Sequence, residues 1–312
     1  MFSLNATLPV FLVIVLGWFL MQKKMFNENF VDIINKFVFK VSLPVLLFKD
    51  IATTPIRDAF DPKFVIFCMV GTTIMFMGIW ALTSIFMKDK SMVGAFTQAS
   101  ARGSAAVLGI AFVQNIYGNS GMTPLMIVSA VPLYNIYSVI ILTFCANNQD
   151  HSDKAATIKH AFKNILTNPI ILGIAAGVPF SLLNIELPPL VLKTVTNVAQ
   201  TATPMALLAV GAGFEGRKAI KKLKPTMIAT FIKLVALPAI YFPFAIAMGF
   251  RESALVAILI MVGSPTTVTC YIMAKNMGND GVLSSSIIVM ATLLSSVTLT
   301  FWIFLLKSMG LI

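Results

Sequence analysis

The sequence has few charged residues, two histidines and three cysteines. Charged residues make up 11% of the 312 residues, with 12 Asp and Glu against 23 Lys and Arg. Soluble domains contain about 25% charged residues, so an ordinary soluble protein is excluded. His151 and His160 share one polar loop, and Cys68, Cys145 and Cys270 lie in separate apolar segments without metal-ligand spacing. We therefore predict no metal site, no cofactor and no membrane enzyme.

The sequence contains many long apolar segments. Hydrophobic residues make up 58% of the chain, and the mean hydropathy is +0.89. Ten segments are each near the roughly 20 residues with which a helix crosses a bilayer. They cover residues 4–21, 31–49, 64–86, 92–117, 122–146, 164–183, 188–213, 224–249, 252–275 and 282–306. We predict an all-α integral membrane protein with ten transmembrane helices.

Basic residues are unevenly distributed over the connections between these segments. With the N-terminus outside, the inner connections hold Lys23, Lys24, Lys88, Lys90, Lys154, Lys159, Lys163, Arg217, Lys218, Lys221, Lys222, Lys224 and Lys275. The outer ones hold Lys49, Arg57, Lys63, Arg251 and Lys307. The positive-inside rule then predicts a cell membrane protein with both termini outside. The first segment has no small-residue cleavage pattern, so we expect it to be retained. The net charge of +11 reflects orientation and anionic lipid, and no nucleic-acid partner is expected.

The sequence repeats itself with an offset of 160 residues and no gap. The aligned pairs are Pro9 with Pro169, Gly17 with Gly177, Pro44 with Pro204, Gly103-Ser104 with Gly263-Ser264, and Gly118 and Gly121 with Gly278 and Gly281. We predict a first repeat at residues 1–150, a cytoplasmic linker at 151–163 and a second repeat at 164–312. Because each repeat has five segments, the two copies have opposite topology, as in many secondary transporters.

The fourth and ninth segments are interrupted at the same repeat position. A Gly-Ser pair stands in the middle of each, and in the second copy Pro265 removes a backbone donor. We expect half-helices to begin near Ala105 and Pro265, with Ser264 as the N-cap of the second. Their N-termini would attract an anion. The alternative is a kink that only shapes packing.

Arg102 lies about ten residues into the fourth segment, roughly 15 Å deep at 1.5 Å per residue. A charge at such depth usually faces a cavity or a partner. All acidic residues fall in connections or near segment ends, so we predict that the carboxylate of the cargo is the counter-ion. The alternative is an arginine that snorkels to the interface. Lys233, the second internal cation, either neutralises a carboxylate or adds positive potential.

The predicted substrate site lies at the two interruptions. Its residues are Arg102, Gly103, Ser104, Ala105, Gly263, Ser264, Pro265, Thr266, Thr267 and Thr269. Further candidates are Gln98, Asn115, Asn135, Asn197, Gln200, Thr203 and Lys233, although polar residues in spans more commonly bond helix to helix.

Five stretches, in order along nearly the whole chain, carry a family resemblance. They are INKFVFKVSLPVLLFKDIATTP, Arg-Gly-Ser followed by LGIAFVQNIYG, NPIILGIAAG, ATPMALLAVGAGF and SPTTVTCYIMAKNMGND. Together they resemble the auxin efflux carrier family, which includes bacterial malate- and malonate-type permeases and is similar in fold to plant PIN carriers, bile-acid symporters and NhaA-type antiporters. The chain departs from the family at Ser104 and Thr269, where asparagine is common, and at Ala111, where proline is common.

The resemblance implies a homodimer of five-plus-five inverted bundles. Helices 1, 2, 6 and 7 would form a scaffold, and helices 3–5 and 8–10 a transport domain in which broken helices 4 and 9 cross at the substrate site. The function predicted is alternating-access transport of a small organic anion, a mono- or dicarboxylate of the malate and malonate class. The alternatives are a sodium-coupled symporter, which the lack of interior acids disfavours, and a non-transporting ligand sensor, which would usually carry a soluble domain.

Overall fold

The computed structural model describes residues 2–53, 61–146, 161–183 and 185–312, with side chains apart from those of 2–6 and Val107. Within these ranges the chain is helical and has no β-strand, and the one β-bridge there is an isolated antiparallel bridge between Gly103 and Thr266. His151, His160, Arg57, Lys154, Lys159 and most of the predicted linker lie outside the described residues. Each predicted apolar segment is helical over most of its length.

The helices are defined as follows in chain order. They are α1 (Phe2–Gln22), α2 (Glu28–Phe37), α3 (Leu43–Ala52), α4 (Pro62–Phe86), α5 (Val93–Ala101), α6 (Ala105–Tyr117), α7 (Thr123–Phe144), α8 (Pro169–Leu182), α9 (Pro189–Gln200), α10 (Ala202–Ala212), α11 (Gly216–Lys221), α12 (Leu223–Phe231), α13 (Leu237–Ala247), α14 (Glu252–Gly263), α15 (Thr269–Asn276) and α16 (Gly281–Ser308).

Four helical stretches are long and apolar enough to cross a membrane: α4, α7, α16 and the stretch Leu223–Ala247 that joins α12 to α13. Several begin at residues typical of helix starts. The Asp61 carboxylate accepts from the backbone N–H of Lys63, and the Asp280 carboxylate accepts from that of Leu283. Such caps satisfy donors that the first turn leaves free. The starts of α4 and α16 therefore follow from local sequence.

Two continuous helical stretches, Glu28–Ala52 and Leu223–Ala247, each contain a π-helical turn just before a proline. Val38–Ser42 joins α2 to α3 ahead of Pro44, and Ile232–Ala236 joins α12 to α13 ahead of Pro238. Proline lacks a backbone N–H and its ring clashes with the carbonyl one turn earlier, so a widened turn accommodates it. The Trp302 indole N–H donates to the Leu234 carbonyl at 2.9 Å. The widened turn of the second stretch is thereby held in place.

Close contacts between helices follow the 160-residue offset. A Cβ on Gly17 of α1 would lie 2.3 Å from the Leu208 carbonyl oxygen of α10. A Cβ on Gly177 of α8 would lie 2.9 Å from the Phe48 carbonyl oxygen of α3. Small residues allow helices to approach this closely. The same contact is therefore made twice, each time between the first segment of one half and the second segment of the other.

The buried apolar side chains form two clusters. One is built largely on α4, α7, α13 and α14, and includes Phe76, Tyr134 and Ile258. The other is built on α1, α3, α8 and α10, with α5 and α15 against them, and includes Ile14 and Ile174. The interrupted helices contribute to both, because α6 and α14 pack in the first and α5 and α15 in the second. The interruptions therefore lie where the clusters meet.

Candidate functional site

The two interruptions cross each other in the interior. Gly103 and Thr266 form an antiparallel bridge, and the Ser104 N–H donates to the Pro265 carbonyl at 2.9 Å. The Thr266 hydroxyl donates to the Ala99 carbonyl at 2.7 Å. These bonds satisfy backbone groups that the interruptions would otherwise leave unpaired in the interior. The predicted breaks in the fourth and ninth segments are therefore present, and they pair with each other.

The second half-helix begins later than the sequence predicts. We expected it to start at Pro265 with Ser264 as its N-cap, but α15 begins at Thr269. Ser264 instead follows α14 with extended backbone, and its buried hydroxyl has no hydrogen-bond partner. The reason is that residues 265 and 266 pair with the other break as extended chain. The first half-helix begins at Ala105, as expected.

A small cavity of about 30 Å³ lies against the crossing. From the predicted site it is lined by Ser104, Pro265, Thr266 and Thr267, and its other walls come from α1, α6, α10 and α16. The first residues of α6 and α15 lie next to this lining, with no side-chain cap on either helix. Both N-termini carry partial positive charge, and the uncapped start of α6 also presents backbone N–H donors. At the start of α15 the N–H groups of Cys270 and Tyr271 already donate to the Thr267 and Val268 carbonyls. Hydroxyl groups and helix N-termini therefore surround one cavity.

Arg102 lies away from this cavity. Its side chain is 5% exposed, and its guanidinium donates to the Asn135 amide oxygen at 2.7 Å and to the Met273 sulfur at 2.9 Å. The Gln98 amide also donates to Met273, while its own oxygen, which is buried, has no partner. Three predicted residues therefore lie together in a cluster that is separate from the small cavity: Gln98, Arg102 and Asn135.

Lys233 is the second buried cation and is fully enclosed. Its ammonium donates to the Ala101 carbonyl at 3.0 Å and to the Met261 carbonyl at 3.4 Å. No Asp or Glu in the described ranges is buried, so neither Lys233 nor Arg102 has a buried carboxylate partner there. Two basic side chains are therefore buried next to the crossing.

The other predicted residues divide into two groups. Thr203 lines the small cavity, Thr269 begins α15 and bonds to Thr267, and Gly263 ends α14 against Pro238. Three do not reach the crossing. Asn115 and Gln200 are exposed, with the Asn115 amide bonded to its own helix, and Asn197 is exposed as well.

Sequence reasoning missed three residues at these sites. Thr7 and Thr292 line the small cavity, and Met273 is the acceptor that Arg102 and Gln98 share. A single threonine or methionine in an apolar span is common, so the sequence gives no signal for Met273. The polar hydroxyl groups of Thr7 and Thr292 are the one signal that could have identified these two residues.

A larger cavity of about 360 Å³ lies along the same helices. Its lining includes Met21 at the end of α1, Gly213 after α10, and Tyr271 and Lys275 of α15. Asp32 of α2 also lines it and pairs with Lys275 at 2.8 Å. Because α1, α10 and the ninth-segment residues line both cavities, the two lie along one boundary between the helices.

The family model and the relatives that match this chain are all described as transport proteins. A model of the membrane transport protein family matches residues 2–303. The chain is 25% identical over 309 residues to a "putative malonate transporter" of Rhizobium meliloti (strain 1021), which covers 96% of this chain and 95% of that protein. It is 24% identical over 246 residues to the uncharacterized transporter YfdV of Escherichia coli (strain K12), covering 76% of each.

An uncharacterized transporter of Methanothermobacter thermautotrophicus is 21% identical over 304 residues, covering 96% of this chain and 97% of that protein. The match of the family model to nearly the whole chain confirms the resemblance that the five stretches predict. The apolar helices agree with a protein that resides in a membrane. This chain belongs to the membrane transport protein family, the auxin efflux carrier family of the sequence prediction.

Proposed function

We propose that this protein is a secondary transporter of small organic anions, a mono- or dicarboxylate of the malate and malonate class, that works by alternating access at the crossing. One observation carries the proposal. Arg102 and Lys233 are both buried beside the crossing, and no Asp or Glu among the described residues is buried with them. A buried charge usually has a partner. A negatively charged cargo at the crossing neutralises this interior.

The two cations act on the cargo without touching it in this conformation. At an effective dielectric constant of ~20, unit charges about 8 Å apart attract each other by about 2 kcal/mol. The hydroxyl groups of Ser104, Thr203 and Thr267 and the N-terminus of α6 supply the direct hydrogen bonds, and the N-terminus of α15 adds partial positive charge. Arg102 thus has an electrostatic role, rather than the direct contact expected from the sequence. The relative described as a malonate transporter favours a dicarboxylate.

The architecture proposed is ten spans in two inverted repeats of five. The reciprocal contacts of Gly17 with Leu208 and of Gly177 with Phe48 support it, because a two-fold relation between halves generates contacts in such pairs. We assign α1, α2–α3, α8 and α9–α10 to the scaffold and the other spans to the transport domain, in a homodimer. Both termini lie outside the cell membrane. Cysteine introduced at Lys221 is then protected from impermeant reagents added to intact cells, and ready labelling would reverse this orientation.

Alternating access requires the crossing to separate from α1 and α10. The small cavity holds about one water molecule, so a carboxylate enters only when the cavity widens. The larger cavity lies along the same boundary and provides the path to the inner side. Movement of the transport domain along this boundary connects the crossing first to one side of the membrane and then to the other.

Flux measurements test the proposal directly. The purified full-length chain is reconstituted into liposomes, and uptake of labelled malonate, malate and acetate is measured against empty liposomes. We expect saturable uptake, competed by unlabelled carboxylates and unchanged when sodium is replaced by choline. Uptake that requires sodium would favour the symporter alternative. Carboxylate binding in a thermal-shift assay without any flux would favour the sensor, and a folded protein with neither would refute an organic-anion function.

A further inference from the structure

We propose that the Lys233 ammonium is a built-in cation that holds the two broken helices together by neutralising the C-terminal ends of both first halves. It takes the place of a dissociable inorganic cation at the crossing. The expected effect on carboxylate flux rests on the proposed function, whereas the effect on the stability of the crossing does not.

The geometry of Lys233 carries this inference. Ala101 is the last residue of α5, and Met261 lies in the last turn of α14. The carbonyls at the end of a helix lack intrahelical partners and carry partial negative charge. One ammonium bonds to a carbonyl from each helix, at 3.0 Å for Ala101 and 3.4 Å for Met261, and the Met261 carbonyl also accepts from the Tyr134 hydroxyl at 2.9 Å. It therefore neutralises two helix ends that point into the same buried volume.

The surroundings leave just enough space for this ammonium. A Cβ on Gly103 would lie 2.9 Å from the Lys233 nitrogen and 2.3 Å from the Ser264 hydroxyl oxygen. Lys233 itself lies in the π-helical turn Ile232–Ala236, which Trp302 holds through the Leu234 carbonyl. Such turns are frequent at functional sites. The missing side chain at 103 and the widened turn together bring the ammonium to the helix ends.

The repeat shows that one cation serves both halves. The residue 160 positions before Lys233 is Thr73, which is neutral and bonds to the hydroxyl of Tyr137. A symmetric arrangement would place one cation in each half, but here a single ammonium reaches both helix ends. Because it is covalently attached, it stays at the crossing throughout transport, and no inorganic cation needs to bind there.

Chemical rescue tests the inference. Lys233→Ala removes the ammonium and leaves a space of its size, and Lys233→Met removes the charge while filling that space. For the alanine variant we expect a lower unfolding temperature and at least a tenfold loss of carboxylate uptake. Methylammonium or ethylammonium at millimolar concentration should restore part of both. Tetramethylammonium, which has no N–H donor, should restore neither.

The methionine variant and the wild type are the controls. The methionine variant should show the same loss as the alanine variant but no rescue, because the space is filled, and the wild type should not respond to any of the amines. Wild-type melting and uptake in Lys233→Met would overturn the proposal. So would equal responses of both variants to the amines. If the wild type transports no carboxylate, the melting measurements alone decide, which separates this inference from the proposed function. If Lys233→Ala cannot be purified, the melting of Lys233→Met decides.

Discussion

The Arg102 guanidinium donates to the Asn135 amide oxygen at 2.7 Å, and this partner is neutral. The second acceptor, the Met273 sulfur, is neutral as well. A buried guanidinium held by two neutral groups keeps its full charge available to act on its surroundings. Arg102 does not line the small cavity, so we expect an electrostatic role in place of direct binding. The two roles predict different mutational behaviour.

We expect Arg102→Gln to lower the uptake of dicarboxylates more than that of monocarboxylates. A dianion loses twice the Coulomb attraction of a monoanion when one positive charge is removed. Uptake of labelled malonate and acetate by the same proteoliposomes gives the ratio. Asn115→Gln is the matched control, because Asn115 is exposed and bonds only within its own helix. An equal loss for both anions would indicate that Arg102 supports the fold alone.

The hydroxyl groups of the small cavity should bind the cargo directly. Ser104→Ala and Thr267→Val each remove one hydroxyl from the lining. A hydrogen bond to a charged group contributes about 1.5–3 kcal/mol, so we expect the KM for the preferred carboxylate to rise by roughly 10- to 100-fold. The measurement is initial uptake rate against substrate concentration. An unchanged KM in both variants would place the cargo elsewhere.

Gly103 should tolerate no larger side chain. A Cβ at this position would lie 2.3 Å from the Ser264 hydroxyl oxygen, so Gly103→Ala forces the crossing apart. Overpacking of this kind costs about 1–3 kcal/mol, and we expect a lower unfolding temperature in detergent. Gly78→Ala is the control, because no atom lies within 4 Å of the Cβ it adds. Combining Gly103→Ala with Ser264→Ala should recover part of the loss, and no recovery would mean that another contact is responsible.

The pair of Asp32 and Lys275 joins α2 to α15 across the boundary that is expected to open. A bifunctional methanethiosulfonate cross-link between cysteines at these two positions should lock the boundary, so uptake should be lost on cross-linking and return with reductant. The two single-cysteine variants are the controls and should not respond. Full uptake by the cross-linked double variant, with the cross-link verified by mass spectrometry, would show that this part of the boundary does not move.

The ionic contact itself should matter little for stability. Both side chains are about half exposed, at 51% for Asp32 and 40% for Lys275, and exposed ion pairs contribute about 0–1 kcal/mol. The consequence of the cross-link is therefore expected in transport rather than in folding.

Local features of the sequence predicted the helices well. The apolar segment expected at 64–86 is α4 at Pro62–Phe86, and the one expected at 282–306 is α16 at Gly281–Ser308. The breaks at Gly103 and Ser264 were predicted because glycine, serine and proline act on the backbone of their own chain segment. The start of α15 was wrong because Thr266 pairs with Gly103, a residue far away in the sequence.

The sequence by itself determined that this protein is helical and apolar, that it repeats, and that two cations lie in its interior with no acidic residue nearby. The tertiary structure decided where those cations point. Arg102 points toward Asn135 and Met273. Lys233 points toward the carbonyls of Ala101 and Met261. Neither direction is indicated by hydropathy or by residue spacing. The physical reason is that the direction of a side chain depends on the rotation of its half-helix and on which neighbours pack against it, and both are set by contacts between distant parts of the chain.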